Sequence, residues 1–135
     1  MTRTASREEI IKILYQITIL DNIKSSYDIN TIINETTSNP NEFIITSTNE
    51  IIDNKKDIED IANKYLKNKW TLNRLAIPDQ GIILLGIYEL LYTDTPNRVV
   101  IDEAINLSKK YSDDDIPKLI NGLLDSVYHS EEKRK

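Results

Sequence analysis

Pro78-Asp79 followed by Ile82, Leu85, Ile87, Leu90 and Leu91 constrains this chain more than any other stretch. Proline suits the first turn of a helix, where its missing N–H has no intrahelical partner, and aspartate suits the positive end of the helix dipole. The residues that follow are apolar nearly all the way round, and a helix with no polar face is one that others surround. The rest of the chain is therefore expected to be built around it.

The flanking segments supply the surrounding elements. Ser6 and Glu9 have capping-box spacing, and Ile10, Ile13, Leu14 and Ile17 recur at helical intervals, which predicts a first helix over Arg7 to Leu20. Asp28 with Ile29, Ile32 and Ile33 predicts a short second helix ending near Thr36, and Ser38-Asn39-Pro40-Asn41-Glu42 predicts a third starting at Pro40. The polar patch Asp53 to Lys56 breaks or bends this third segment, so one helix and two both fit. Lys67 to Lys69 closes the first half, and Trp70, Leu72 and Leu75 form an apolar link into Pro78. Beyond the loop Thr93 to Asn97, Ile101, Ala104 and Ile105 describe a helix that ends in Lys109 and Lys110, cations suited to a helix C-terminus. The last helix starts over Ser112 to Asp115, tolerates Pro117 in its first turn, and carries the stripe Ile120, Leu123, Leu124 and Val127. The tail from Ser130 is polar and expected to fray. No segment alternates for long enough to suggest strands. The expected fold is all-α, a compact bundle of six to seven helices.

Composition narrows the function. The 135 residues fit one domain, and the absence of cysteine together with a single histidine, His129, removes thiolate and multi-imidazole metal sites. No cofactor is expected. No glycine-rich phosphate loop or nucleophile elbow occurs, and the acidic run Asp113 to Asp115 reads as a solvated loop, so no catalytic residue is assigned. No membrane span or secretory leader is evident, and a cytoplasmic location is expected. A net charge of −5 argues against a protein that coats nucleic acid unaided.

The order of motifs resembles the NusB transcription antitermination family. The residues that carry the likeness are Arg7-Glu8 and Leu14-Tyr15-Gln16, Trp70 with Arg74-Leu75, Pro78-Asp79, and Leu84 to Leu90. They continue with Pro96, Val99 to Leu107, Lys109 or Lys110, and Lys118 to Asp125. The resemblance implies two three-helix subdomains, about 1–68 and 69–130, and a non-catalytic protein. It implies binding to boxA-type RNA together with the ribosomal protein NusE, on the elongating RNA polymerase complex during ribosomal RNA transcription. An acidic chain fits that role if the partner supplies basic groups. The alternative is an interaction module of the same fold with little or no RNA binding. Some family members form dimers, so a homodimer stays open. The NusB-like domain that precedes some ribosomal RNA methyltransferases is a further reading, and no methyl-donor-binding domain is expected in these residues.

The resemblance places RNA contacts at Arg3 and Arg7 near the start of the first helix, and at Asp115, Lys118 and Leu119 near the start of the last. A helix cap is the plainer reading of Asp115, and Leu119 offers apolar contact where the family often has an aromatic. Thr4, Ala5 and Ser6 stand where the family is commonly more basic. Tyr88 and Glu89 are candidates for the protein partner, and Tyr15 is expected to pack its ring in the core. Asn121-Gly122 lies in the last helix, where glycine costs about 1 kcal/mol relative to alanine. A close helix approach at Gly122, with Asn121 hydrogen-bonding a neighbour, would offset that cost and make Gly122→Leu strongly destabilising. Trp70 is read as structural.

Overall fold

The computed structural model describes residues 1–68 and 70–134. Among them are seven α-helices, one 3-10 turn and no strand. The helices are α1 (Arg3–Asn22), α2 (Ile29–Thr36), α3 (Glu42–Asp53), α4 (Lys55–Tyr65), α5 (Ile77–Tyr92), α6 (Asn97–Tyr111) and α7 (Asp115–Ser130), with the 3-10 turn at Leu72–Arg74. No helix among the described residues is long and apolar enough to cross a membrane.

Helix α5 is the hub that its sequence requires. Every residue from Asp79 to Tyr92 is buried, and α1, α3, α4, α6 and α7 all pack against it. Helices α2 and α3 flank α1, and α6 and α7 lie against each other. Ile10, Ile13, Leu14, Ile17, Ile44, Ile58, Ile83 and Leu124 fill the core between these elements. Gly86 lets α7 come close, because a Cβ there would lie 2.9 Å from Cδ1 and 3.0 Å from Cδ2 of Leu124.

The helix ends correct several expectations. Helix α1 begins at Arg3, capped by Thr2, whose hydroxyl accepts the Ala5 N–H at 3.0 Å. Ser6 is buried inside the helix and accepts a hydrogen bond from the Asn41 amide. Asp28 caps α2 as its position suggests, accepting from the Thr31 N–H at 2.9 Å. Asn41 caps α3, which therefore starts at Glu42, with Pro40 just outside. A one-residue interruption at Asn54 makes the ambiguous central segment two helices. Trp70 is 44% exposed, whereas Leu72 and Leu75 of the same link are buried, so the structural role falls to the two leucines. The Lys67 to Lys69 boundary and the tail each include one residue, Lys69 and Lys135, outside the described set.

The described part of the tail, through Arg134, is tied down and not frayed. Glu131 accepts the Tyr65 hydroxyl and, at 3.0 Å, the Lys64 ammonium. Lys133 donates to the Leu90 and Thr93 carbonyls at the C-terminal end of α5, where the helix dipole favours a cation. The Arg134 N–H donates to the Leu91 carbonyl at 2.7 Å, and its guanidinium lies 3.2 Å from Asp57. A segment that looked like a polar end thus ties α4, α5 and α7 together. The Tyr65 and Lys64 hydrogen bonds hold the Glu131 carboxyl down to about 2, from an ordinary 4.5. A depressed carboxyl stabilises the fold above its unfolded pKa, and that contribution is lost as pH falls from 4.5 through about 2. Deleting residues 131–135 is expected to lower Tm by a few degrees at pH 7. The same deletion should flatten the Tm-against-pH curve in that acid window, as measured by circular dichroism. An unchanged curve would mean the tail contacts contribute nothing.

Candidate nucleic-acid interface

Helical spacing puts Ile11 and Tyr15 of α1 one turn apart, with Lys12 and Gln16 beside them. Across from them stand Pro78, at the start of α5, and Tyr111, at the end of α6. Together these six side chains line a shallow, largely apolar depression of about 330 Å³. Tyr15 is 41% exposed and Tyr111 is 40% exposed, so the Tyr15 ring is not the core residue it was expected to be. Cations border the depression. Lys110 donates to Glu8 at 2.8 Å, and the Tyr111 hydroxyl donates to the same carboxylate at 3.0 Å. The Lys110 hydrogen bond pulls the Glu8 carboxyl below its usual range, and Glu8 in turn raises the Lys110 ammonium. Lys12 pairs with Glu9 at 2.9 Å. The Ser112 hydroxyl donates to Asp79, next to Pro78, which anchors the turn before α7 beside the depression. Burial pushes the Asp79 carboxyl up despite that hydrogen bond.

The sequence-based candidates divide. Arg3 is exposed, and its guanidinium lies over the Phe43 ring, 4.1 Å from the centroid. Lys118 is exposed and, with Lys109, carries no ion pair among the described residues. Asp115 is exposed at the first position of α7. The N-cap position belongs to Asp114, no side chain caps the helix, and the capping reading of Asp115 is withdrawn. Leu119 is half-buried against the core, leaving one edge to solvent.

Arg7 is corrected outright. It is 3% exposed. Its Nε and Nη2 donate to the two carboxylate oxygens of Glu89, each at 2.8 Å, and its Nη1 donates to Glu103 at 3.1 Å. Burial works against the guanidinium charge, and the carboxylates of Glu89 and Glu103 outweigh it, so the pKa rises. Such a group holds α1 to α5 and α6 and presents nothing to a phosphate. Glu89 is equally enclosed, at 1% exposure, and cannot meet a partner. Tyr88 is 2% exposed, stacks on Tyr92 with centroids 5.8 Å apart, and donates to Glu50 at 2.6 Å. Asn121 and Gly122 both face solvent, and a Cβ on Gly122 would meet nothing within 4 Å. The close approach belongs to Gly86. Arg7 and Lys118 do not form a shared cationic ledge, because Arg7 is enclosed against Glu89 and Glu103 while Lys118 is exposed.

Sequence reasoning missed Lys12, Pro78 and Tyr111 as surface groups. The signal was available for Tyr15, whose neighbours Lys12, Gln16 and Ile19 fall on the polar side of the helix defined by Ile10, Ile13, Leu14 and Ile17.

Residues 4–129 match the NusB family model. The chain belongs to the NusB family. This NusB-family chain is 39% identical over 127 residues to the transcription antitermination protein NusB of Macrococcus caseolyticus, covering 94% of this chain and 96% of that protein. It is 34% identical over 128 residues to the Campylobacter jejuni protein of the same name, with coverage of 93% and 95%. Among solved structures, T. maritima NusB superposes with a TM-score of 0.84 at 31% identity, over 96% of this chain and 92% of that one. A crystal structure of antitermination factors NusB and NusE in complex with dsRNA superposes with a TM-score of 0.80 over 95% and 96% of the chains. At 19% identity, that match speaks to the fold alone.

Proposed function

We propose that this NusB-family chain is a non-catalytic transcription antitermination factor. It binds boxA-type RNA together with the ribosomal protein NusE, on the elongating RNA polymerase complex. Its halves, about 1–68 and 69–130, act as one body held by the Arg7 and Glu89 pair. The carrying observation is the exposed pair Tyr15 and Tyr111 over an apolar floor, with Lys12 and Lys110 at its edge and the turn into α7 alongside. Aromatic faces bordered by cations suit unpaired bases, which stack on the rings while phosphates meet the ammonium groups. The transcription antitermination proteins it resembles point the same way. A net charge of −5 fits a surface completed by a basic partner.

Fluorescence anisotropy of a labelled boxA-like RNA, titrated at low salt with and without NusE, tests the reading. Tyr15→Ala is expected to weaken binding by about 1 to 3 kcal/mol, the usual scale for one base stacked on one ring. Lys118→Ala should weaken it modestly and lower the log–log salt slope by about 1. No affinity in either mixture would end the RNA role, and NusE binding without any RNA effect would favour the interaction-module alternative.

A further inference from the structure

The start of α1, one side of α3 and the C-terminal end of α5 with the loop after it line a second groove. Its lining includes Arg3, Glu42, Phe43, Glu50, Tyr92 and Asp94. Its chemistry is the reverse of the tyrosine platform. Glu42 and Asp94 carry no ion pair among the described residues, and Glu50 accepts from Tyr88 at the groove floor. The negative end of the α5 dipole lies here as well. Two cations of the chain already converge on this region, Lys133 on the Leu90 and Thr93 carbonyls and Arg3 on the face of Phe43. Arg3 is oddly placed for a helix. It occupies the first helical position of α1, whose first turn has no acidic residue, and a cation there opposes the helix dipole. What offsets that cost is the groove itself, an aromatic face beside carboxylates, which suits a guanidinium better than an ammonium.

We infer that this groove is the seat for an arginine side chain from a basic segment of a protein partner, and that Arg3 is its intramolecular occupant until that segment arrives. The inference deepens the protein-partner half of the function above and is independent of its RNA half. It also restores a partner role to the region of Tyr88, through the groove that its ring helps to line and not through Glu89.

The test uses the full chain without RNA and a fluorescein-labelled Gly-Arg-Gly-Arg-Gly peptide, followed by anisotropy at low salt and by amide chemical shifts. The peptide should perturb Phe43 and Thr93 to Thr95, and its lysine and citrulline counterparts should bind at least several-fold more weakly. Arg3→Ala should tighten peptide binding about threefold or more by removing the competitor. Lys109→Ala, which changes net charge equally at a distant exposed site, should leave binding unchanged. The double variant Glu42→Gln, Asp94→Asn should weaken it. Equal gains from Arg3→Ala and Lys109→Ala, equal binding of the lysine peptide, or shifts confined to other surfaces would overturn the inference. A failed peptide titration alongside intact NusE-dependent RNA binding would reject the groove and leave the antitermination reading standing.

Discussion

Glu89→Ala is expected to destabilise the protein by about 3 to 5 kcal/mol, the range found when one member of a buried ion pair is removed and the other is left uncompensated. For a chain of this length, that corresponds to a fall in Tm of roughly 10 °C or more. The reason is geometric. The Arg7 guanidinium is 3% exposed and loses both of its 2.8 Å hydrogen bonds, keeping only the 3.1 Å contact to Glu103. Arg7→Ala should be comparably harmful, because it strands the enclosed Glu89 carboxylate on α5, while Glu103 on α6 keeps the Thr4 hydroxyl as a partner. Replacing the pair together, as Arg7→Met with Glu89→Leu, should recover much of the loss, since neither charge is then left in a dry site. Urea denaturation of Arg7→Met, Glu89→Leu and the double that combines them closes the cycle. Additive losses in the double variant would show that the two side chains do not depend on each other. Any loss of RNA affinity in Arg7→Ala should track the folded fraction and leave the salt slope of the folded protein unchanged, which separates a structural arginine from a phosphate contact.

That pair also marks where the sequence stops being legible. The α5 core, the Asp28 cap and the α6 C-terminus could be read because their determinants are local: a run with no polar face, a capping residue before a stripe, and lysines in a last turn. The partners of Arg7 lie 82 and 96 residues away. Nothing near Arg7 distinguishes it from Arg3, yet one is enclosed and the other lies on the surface over Phe43. The same holds for the tail, whose lysine and arginine look solvated until the end of α5 is placed beside them. Ser6 and Glu9 failed for a different reason. Their spacing satisfies a capping box, but the pattern is short and recurs by chance, and Thr2 was equally able to cap. The tyrosine platform was half legible. The polar flank of Tyr15 pointed outward, while the approach of Tyr111 and Pro78 depends on how α5 and α6 meet α1.

Gly122 was misread although its position was decidable. The buried stripe of α7 runs through Ile120, Leu123, Leu124 and Val127, and that stripe places residue 122 on the opposite side of the helix. The consequence is a pair of glycine substitutions with opposite outcomes. Gly86→Leu should be severely destabilising, at the upper end of the 1 to 3 kcal/mol typical of overpacking or beyond. A single Cβ at residue 86 already approaches Leu124 to 2.9 Å, and both Leu124 and α5 are enclosed on every side. Gly86→Ala is the informative intermediate. It gains about 1 kcal/mol of helix propensity, and its one added carbon presses mainly on the two terminal methyls of a single leucine, so its loss should be far smaller than that of Gly86→Leu. Gly122→Ala meets nothing within 4 Å and should raise stability by up to about 1 kcal/mol. Thermal melts of the three variants, read by far-UV circular dichroism, decide the matter. A Gly122→Ala protein that melts well below wild type would return the close helix contact to α7, and a Gly86→Leu protein that melts near wild type would remove it from α5.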